Sequence, residues 1–98
     1  HDEDWYSIGQ LVARFHRVGL DHADLNAHNI LHGADGRWWM IDFDRGRIRK
    51  RGLWCDANLV RLRRSILKVG DSLPERPFDE RDWAHLLSGY RDTLSAIP

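Results

Sequence analysis

A single cysteine, Cys55, among 98 residues allows no internal disulfide, and without a cysteine cluster there is no thiolate cage for structural zinc. A reducing, cytosolic setting is the expectation. Long apolar runs are missing as well, the longest being Trp38-Trp39-Met40-Ile41 against the roughly 20 residues that cross a bilayer. No transmembrane helix is expected. Neither an initiator Met nor a charged-then-apolar leader stands at His1-Asp2-Glu3-Asp4, so no secretion address is visible and the chain reads as a piece of something longer. Net charge is absent too, at +0 from 15 basic and 15 acidic side chains, which taken alone argues against a nucleic-acid partner or a polybasic membrane anchor.

What is present is the composition of a soluble globular domain, with 42% hydrophobic residues, 31% charged residues and five Trp. The length suits one domain over 1–98, near the lower end of what buries a core without metals or disulfides. The zero charge hides a segregation. Residues 1–44 hold 3 basic and 8 acidic side chains, 45–68 hold 9 and 1, and 69–98 hold 3 and 6. A functional reading must account for that cationic middle.

Trp5, Ile8, Leu11, Val12 and Phe15 recur at helical spacing, with acidic residues at the positive end and Gly19 placed to stop the helix. The polar stretch Leu20 to Asn29 has neither period and is read as an ordered loop. Asn29 to His32 and Arg37 to Phe43 flank the turn-forming Gly33-Ala34-Asp35-Gly36, the pattern of a β-hairpin. Arg45 to Gly52 shows no stripe and reads as an exposed connection. Leu59, Leu62, Ile66 and Val69 mark a second helix closed by Gly70, with Arg61, Arg64 and Lys68 on its other face. In the last helix Asp79 is the expected cap, Asp82 completes a short capping box, and Phe78 staples onto Trp83. Its buried side is Trp83, Leu86, Leu87, Tyr90, Leu94 and Ile97.

The informative spacing is His22-x-Asp24-x-x-x-x-Asn29, followed by Asp42-Phe43-Asp44. It resembles the catalytic core of the protein-kinase-like phosphotransferases, where the loop Asp orients or accepts the proton of the substrate hydroxyl and the Asn and later Asp hold Mg²⁺ against nucleotide phosphates. Divalent ions at a phosphoryl group need hard oxygen ligands, and the attacking hydroxyl needs a carboxylate nearby. A hairpin that begins at Asn29 and returns at Asp42 brings two such ligands to one end. The bland alternative is that these residues only satisfy turn backbone and strand ends.

The fuller wording, Gly19-Leu20-Asp21-His22-Ala23-Asp24-Leu25-Asn26-Ala27-His28-Asn29-Ile30-Leu31, then Ile41-Asp42-Phe43-Asp44-Arg45-Gly46, then Asn58-Leu59-x-Arg61-Leu62-x-Arg64-Ser65, resembles the 3-deoxy-D-manno-octulosonic acid (Kdo) kinases of lipopolysaccharide inner-core synthesis. The resemblance implies a mainly helical α+β fold, the C-terminal lobe of a kinase-like protein with a small hairpin. It implies transfer from ATP to a hydroxyl of Kdo on lipid A by a peripheral enzyme at the cytoplasmic face of the bacterial inner membrane. Asp24 would be the base, and Asn29 and Asp42 the Mg²⁺ ligands that hold the nucleotide.

Ala23 in place of the Arg that reads a phosphorylated activation loop, Asn26 in place of Lys, and Asp44 in place of Gly set the chain apart from protein-substrate kinases. His22, His28 and His32 read as ordering residues rather than ligands. Arg45, Arg47 and Arg49 are either a solvated loop or the contacts for the phosphates and carboxylate of an anionic glycolipid. No glycine-rich phosphate loop and no lysine precede His22, so the N-terminal nucleotide lobe is not in these residues, and the chain alone is expected to have little or no kinase activity. Competing readings are a heptose or aminoglycoside-type kinase, a non-haem iron enzyme using His22, Asp24 and His85, and a non-enzymatic module with a basic face.

Overall fold

The computed structural model describes residues 2–22, 25–42, 46–50, 52–71 and 78–95. Among these, three helices, α1 (Asp2–Arg17), α2 (Leu53–Asp71) and α3 (Glu80–Ser95), accompany four short strands, β1 (Leu20–Asp21), β2 (Ile30–His32), β3 (Trp38–Met40) and β4 (Arg47–Ile48). The class is the expected mainly helical α+β. No described helix is long and apolar enough to cross a membrane.

α1 forms because its apolar residues fall on one stripe, and it ends where Gly19, at φ 80°, returns its N–H to the His16 carbonyl at 3.0 Å. The start of α3 follows the expected capping box. The Asp82 N–H donates to Asp79 Oδ1 at 2.9 Å, the Asp79 N–H donates to Asp82 Oδ2 at 3.2 Å, and Phe78 meets Trp83 edge-on at 6.3 Å. The two helices cross almost backbone to backbone. A Cβ on Gly9 would run into the Leu86 carbonyl, and one on Gly89 into the Tyr6 carbonyl.

Val12, Leu25, Leu62 and Leu86 are each 0% exposed and come from α1, the polar loop, α2 and α3, so the core draws on all of them. Leu25 is the loop's contribution. Burying such a side chain is worth about 2 kcal/mol, which fixes an otherwise polar segment against the helices.

β2 and β3 pair antiparallel with Leu31 opposite Trp39, around the turn the glycines predict. Gly36 has φ 80°, and Gly33 and Arg37 close the turn at 2.7 Å. The outgoing strand stops at Met40, short of the expected Phe43, which lies outside the described residues. Two expectations need correction. The supposed connection contains β4, which pairs with β1 inside the supposed loop (Leu20 opposite Ile48, Asp21 opposite Arg47). The second helix does not close at Gly70 but runs through it to Asp71, and it starts at Leu53, where Trp54, Cys55 and Asn58 extend the buried stripe ahead of Leu59.

Candidate active site

The loop between β1 and β2 is organised from its ends. At the first end the His22 ring is buried, and its Nε2–H donates to the Ile41 carbonyl at 2.9 Å. At the second, Ala27–Asn29 form a 3₁₀ turn. Asn26 Oδ1 accepts from the His28 N–H at 2.8 Å, and Asn29 Oδ1 accepts from the Asn26 N–H at 3.1 Å, a reciprocal cap. The Ile41 N–H donates to the Asn29 carbonyl at 2.8 Å. Ile41 is thus held by Asn29 through its N–H and by His22 through its carbonyl. The next residue is Asp42.

Asp42 is exposed and sits at φ 68°, a left-handed conformation costing a non-glycine residue on the order of 1 kcal/mol. Such strain is retained where the surroundings dictate it, and here both backbone groups of Ile41 are taken just before it. The structure therefore brings Asn29 and Asp42 to one end of the hairpin, as the spacing predicts. Asp24 and Arg45 lie outside the described residues, as do Ala23, Phe43 and Asp44.

Behind the loop lies a polar network that sequence reasoning missed. Asp21, 5% exposed, accepts from Arg49 Nη1 and from Asn58 Nδ2, each at 2.9 Å. Asn58 Nδ2 also donates to the Trp54 carbonyl at 3.0 Å. Asn58 Oδ1 accepts from His16 Nε2–H at 3.3 Å, and His16 Nδ1 accepts from the Tyr90 hydroxyl at 2.7 Å. Desolvation lowers the His16 pKa and outweighs the hydrogen bond to Asn58 Oδ1 and the nearby Asp21 and Asp56 charges, which favours the neutral ring this chain of bonds requires. Burial pushes the Asp21 carboxyl up, but the hydrogen bonds from Asn58 and Arg49, with the charges of Arg49 and Arg47, hold it below its ordinary 3.8.

On the far side of the loop, the Ala27 N–H donates to Ser65 Oγ at 2.9 Å. Asn58 and Ser65, two turns apart on one side of α2, thus grip the loop at Asp21 and Ala27, with Asp24 between them in sequence. Both residues stand in the Asn58 to Ser65 string, the signal that could have found them.

The remaining candidates separate. Arg49, expected at the substrate, places its guanidinium on Asp21, so its charge is committed inward. Arg47 is exposed on β4. His32 stacks on Trp38 at 4.5 Å, a hairpin role. Among the described residues no three His, Cys, Asp or Glu side chains gather around a common metal position. Asn29 and Asp42, at one end of the hairpin, could offer an amide and a carboxylate oxygen, the kind of donors a hard cation takes.

A loop ordered by a buried His and a capped Asn, with a hairpin that returns an Asp to its start, carries the spacing that resembles the kinase-like phosphotransferases. The chain belongs to the lipopolysaccharide kinase (Kdo/WaaP) family, whose model matches residues 1–90. It is 53% identical over 87 residues to a 3-deoxy-D-manno-octulosonic acid kinase of Xanthomonas euvesicatoria pv. vesicatoria (strain 85-10), covering 88% of this chain and 34% of that protein. It is 51% identical over 89 residues to the protein of that name from Stenotrophomonas maltophilia (strain K279a), with the same coverage. The chain thus spans about a third of the length of these relatives.

Proposed function

We propose that the protein containing this chain transfers the γ-phosphate of ATP to a hydroxyl of Kdo on lipid A, as a peripheral enzyme at the cytoplasmic face of a bacterial inner membrane. The observation that carries the reading is the convergence of Asn29 and Asp42, fixed through Ile41. Mg²⁺ fits these donors. Asp42 is exposed, and the Asn29 amide oxygen has a second lone pair besides the one facing Asn26. Bound there, the ion supplies positive charge against the nucleotide phosphates. Leu31, Trp39 and Ile41 are exposed on the hairpin face that starts at Asn29, an apolar surface suited to a planar base. Asp24 takes the hydroxyl proton in this reading, and its loop is held from both ends by α2.

The test is phosphate transfer from labelled ATP by the full-length protein, with Kdo-bearing lipid A and heptosylated acceptors assayed side by side. Asp42→Asn keeps the left-handed backbone accessible and removes the charge, so transfer should fall at least a hundredfold with little change in melting temperature. Undiminished transfer by that variant would sink the reading, and preference for the heptosylated acceptor would replace Kdo as substrate. The 98 residues alone are expected to transfer little or no phosphate.

A further inference from the structure

Among the described residues, the cations of the basic middle segment divide into those turned inward and those turned out. Arg49 pairs with Asp21. Arg63 pairs with Glu80 while its guanidinium lies 5.9 Å over the Trp83 ring. Arg61, Arg64 and Lys68 are exposed on the opposite side of α2 and make no ion pair with a described residue. Interleaved with them are aliphatic side chains. Leu53, Val60 and Leu67 are 86%, 56% and 37% exposed, and Ala57 is exposed between them. Their seven-residue spacing lays them along one line of the helix, drifting only about 20° per repeat. Just before the helix, Ile48 on β4 is 74% exposed beside exposed Arg47 and Lys50.

A helix face meant for water carries polar residues at such positions. Aliphatic side chains alternating with Arg and Lys match a different medium, the interface of an anionic bilayer. There the aliphatic groups enter the acyl boundary and the long cationic side chains reach back to lipid phosphates. A nucleic acid would match the cations and leave Leu53, Val60 and Leu67 in water, so the lipid surface accounts for more of the face. Asp56, which is exposed, is the one acid in residues 53–70 of α2.

We infer that the outward face of α2, with the exposed side of β4, is the surface by which the protein lies on an anionic phospholipid bilayer, helix axis along the membrane plane. The inference rests on the membrane-borne acceptor proposed above and specifies which surface meets the lipid. It assigns the cationic segment chiefly to lipid phosphates.

The experiment is co-sedimentation of the chain with vesicles of mixed phosphatidylglycerol and phosphatidylcholine, against phosphatidylcholine alone, at low and high salt, with circular dichroism confirming the fold of each variant. Binding is expected to the anionic vesicles and to weaken with salt. Arg61→Ala with Arg64→Ala should weaken it roughly 25-fold, about fivefold per cation. Leu53→Ser and Val60→Ser should each weaken it about tenfold. Val18→Ser, an exposed aliphatic at the end of α1, should bind as the parent does. A chain that stays in solution with anionic vesicles, Leu53→Ser and Val60→Ser variants that bind like the parent, or binding to duplex DNA in place of vesicles overturns the inference. Transfer to detergent-dispersed Kdo-lipid A by the full-length protein reads the kinase proposal separately, and the surface variants should leave it intact.

Discussion

Replacing Asp21 by alanine removes the acceptor shared by Arg49 and Asn58, and the two donors fare differently. Arg49 has a side chain 45% exposed, so water solvates it again and its share falls toward the 1 kcal/mol or less of a surface pair. Asn58 is 2% exposed and keeps only the Trp54 carbonyl for its amide donor, so its share is that of a hydrogen bond to a buried charge, about 1.5 to 3 kcal/mol. The expected loss is about 2 to 4 kcal/mol in urea unfolding, or roughly 10 to 25 °C in Tm for a domain of this size. Asp21→Asn keeps the shape without the charge and should cost about 1 to 2 kcal/mol. The pH dependence has a definite sign. Because the folded-state pKa of Asp21 is depressed below 3.8, its stabilisation is complete above that value and is lost as pH falls through the folded-state pKa. The gap between the parent and Asp21→Asn should therefore close below about pH 4. An Asp21→Ala variant within about 0.5 kcal/mol of the parent at pH 7 would refute the reasoning.

His16 supplies a second pH effect. Its folded-state pKa lies below 6.5, so stability should fall as pH drops from 6.5 through that lower value, and His16→Gln should flatten this part of the stability profile in urea titrations. Gly9→Ala forces a methyl against the Leu86 carbonyl and should cost at least about 2 kcal/mol by thermal melting, far more than Gly52→Ala, whose added carbon meets only the Trp54 ring at 4.0 Å. Ser65→Ala leaves the Ala27 N–H without its acceptor. A loss of about 1 kcal/mol is expected by chemical denaturation, and in the full-length protein kcat should fall more than KM changes, since the loop and not the binding surface is loosened.

The elements legible in the sequence are those whose signals are local. α1 and α3 announce themselves by stripe and cap, and the hairpin by Gly33 to Gly36 between short apolar runs. From these the meeting of Asn29 and Asp42 followed, because a hairpin returns its outgoing strand to its start. The pairing of β1 with β4 was not legible, since two-residue strands show no alternation and Leu20 and Ile48 meet only through the folded chain. Asp21 looked like one polar residue among several, and its partners Arg49 and Asn58 stand 28 and 37 positions away. The start of α2 was hidden for another reason. Gly52-Leu53-Trp54-Cys55 carries no capping side chain, and the turn is set instead by the Cys55 N–H on the Gly52 carbonyl and by the Trp54 indole on the Lys50 carbonyl.

The crossing of α1 on α3 through Gly9 and Gly89 also governs when the fold can form. His16 finds Tyr90 across 74 positions of sequence, so the helix made first waits for the one made last. At ribosomal rates that delay is about 4 to 15 s, during which the apolar stripe of α1, with Ile8, Leu11 and Val12, lacks the α3 part of its cover. A contact of such long range is also slow to nucleate, because the intervening chain must be closed before any burial is gained. This segment therefore completes its core only once Gly89 has emerged.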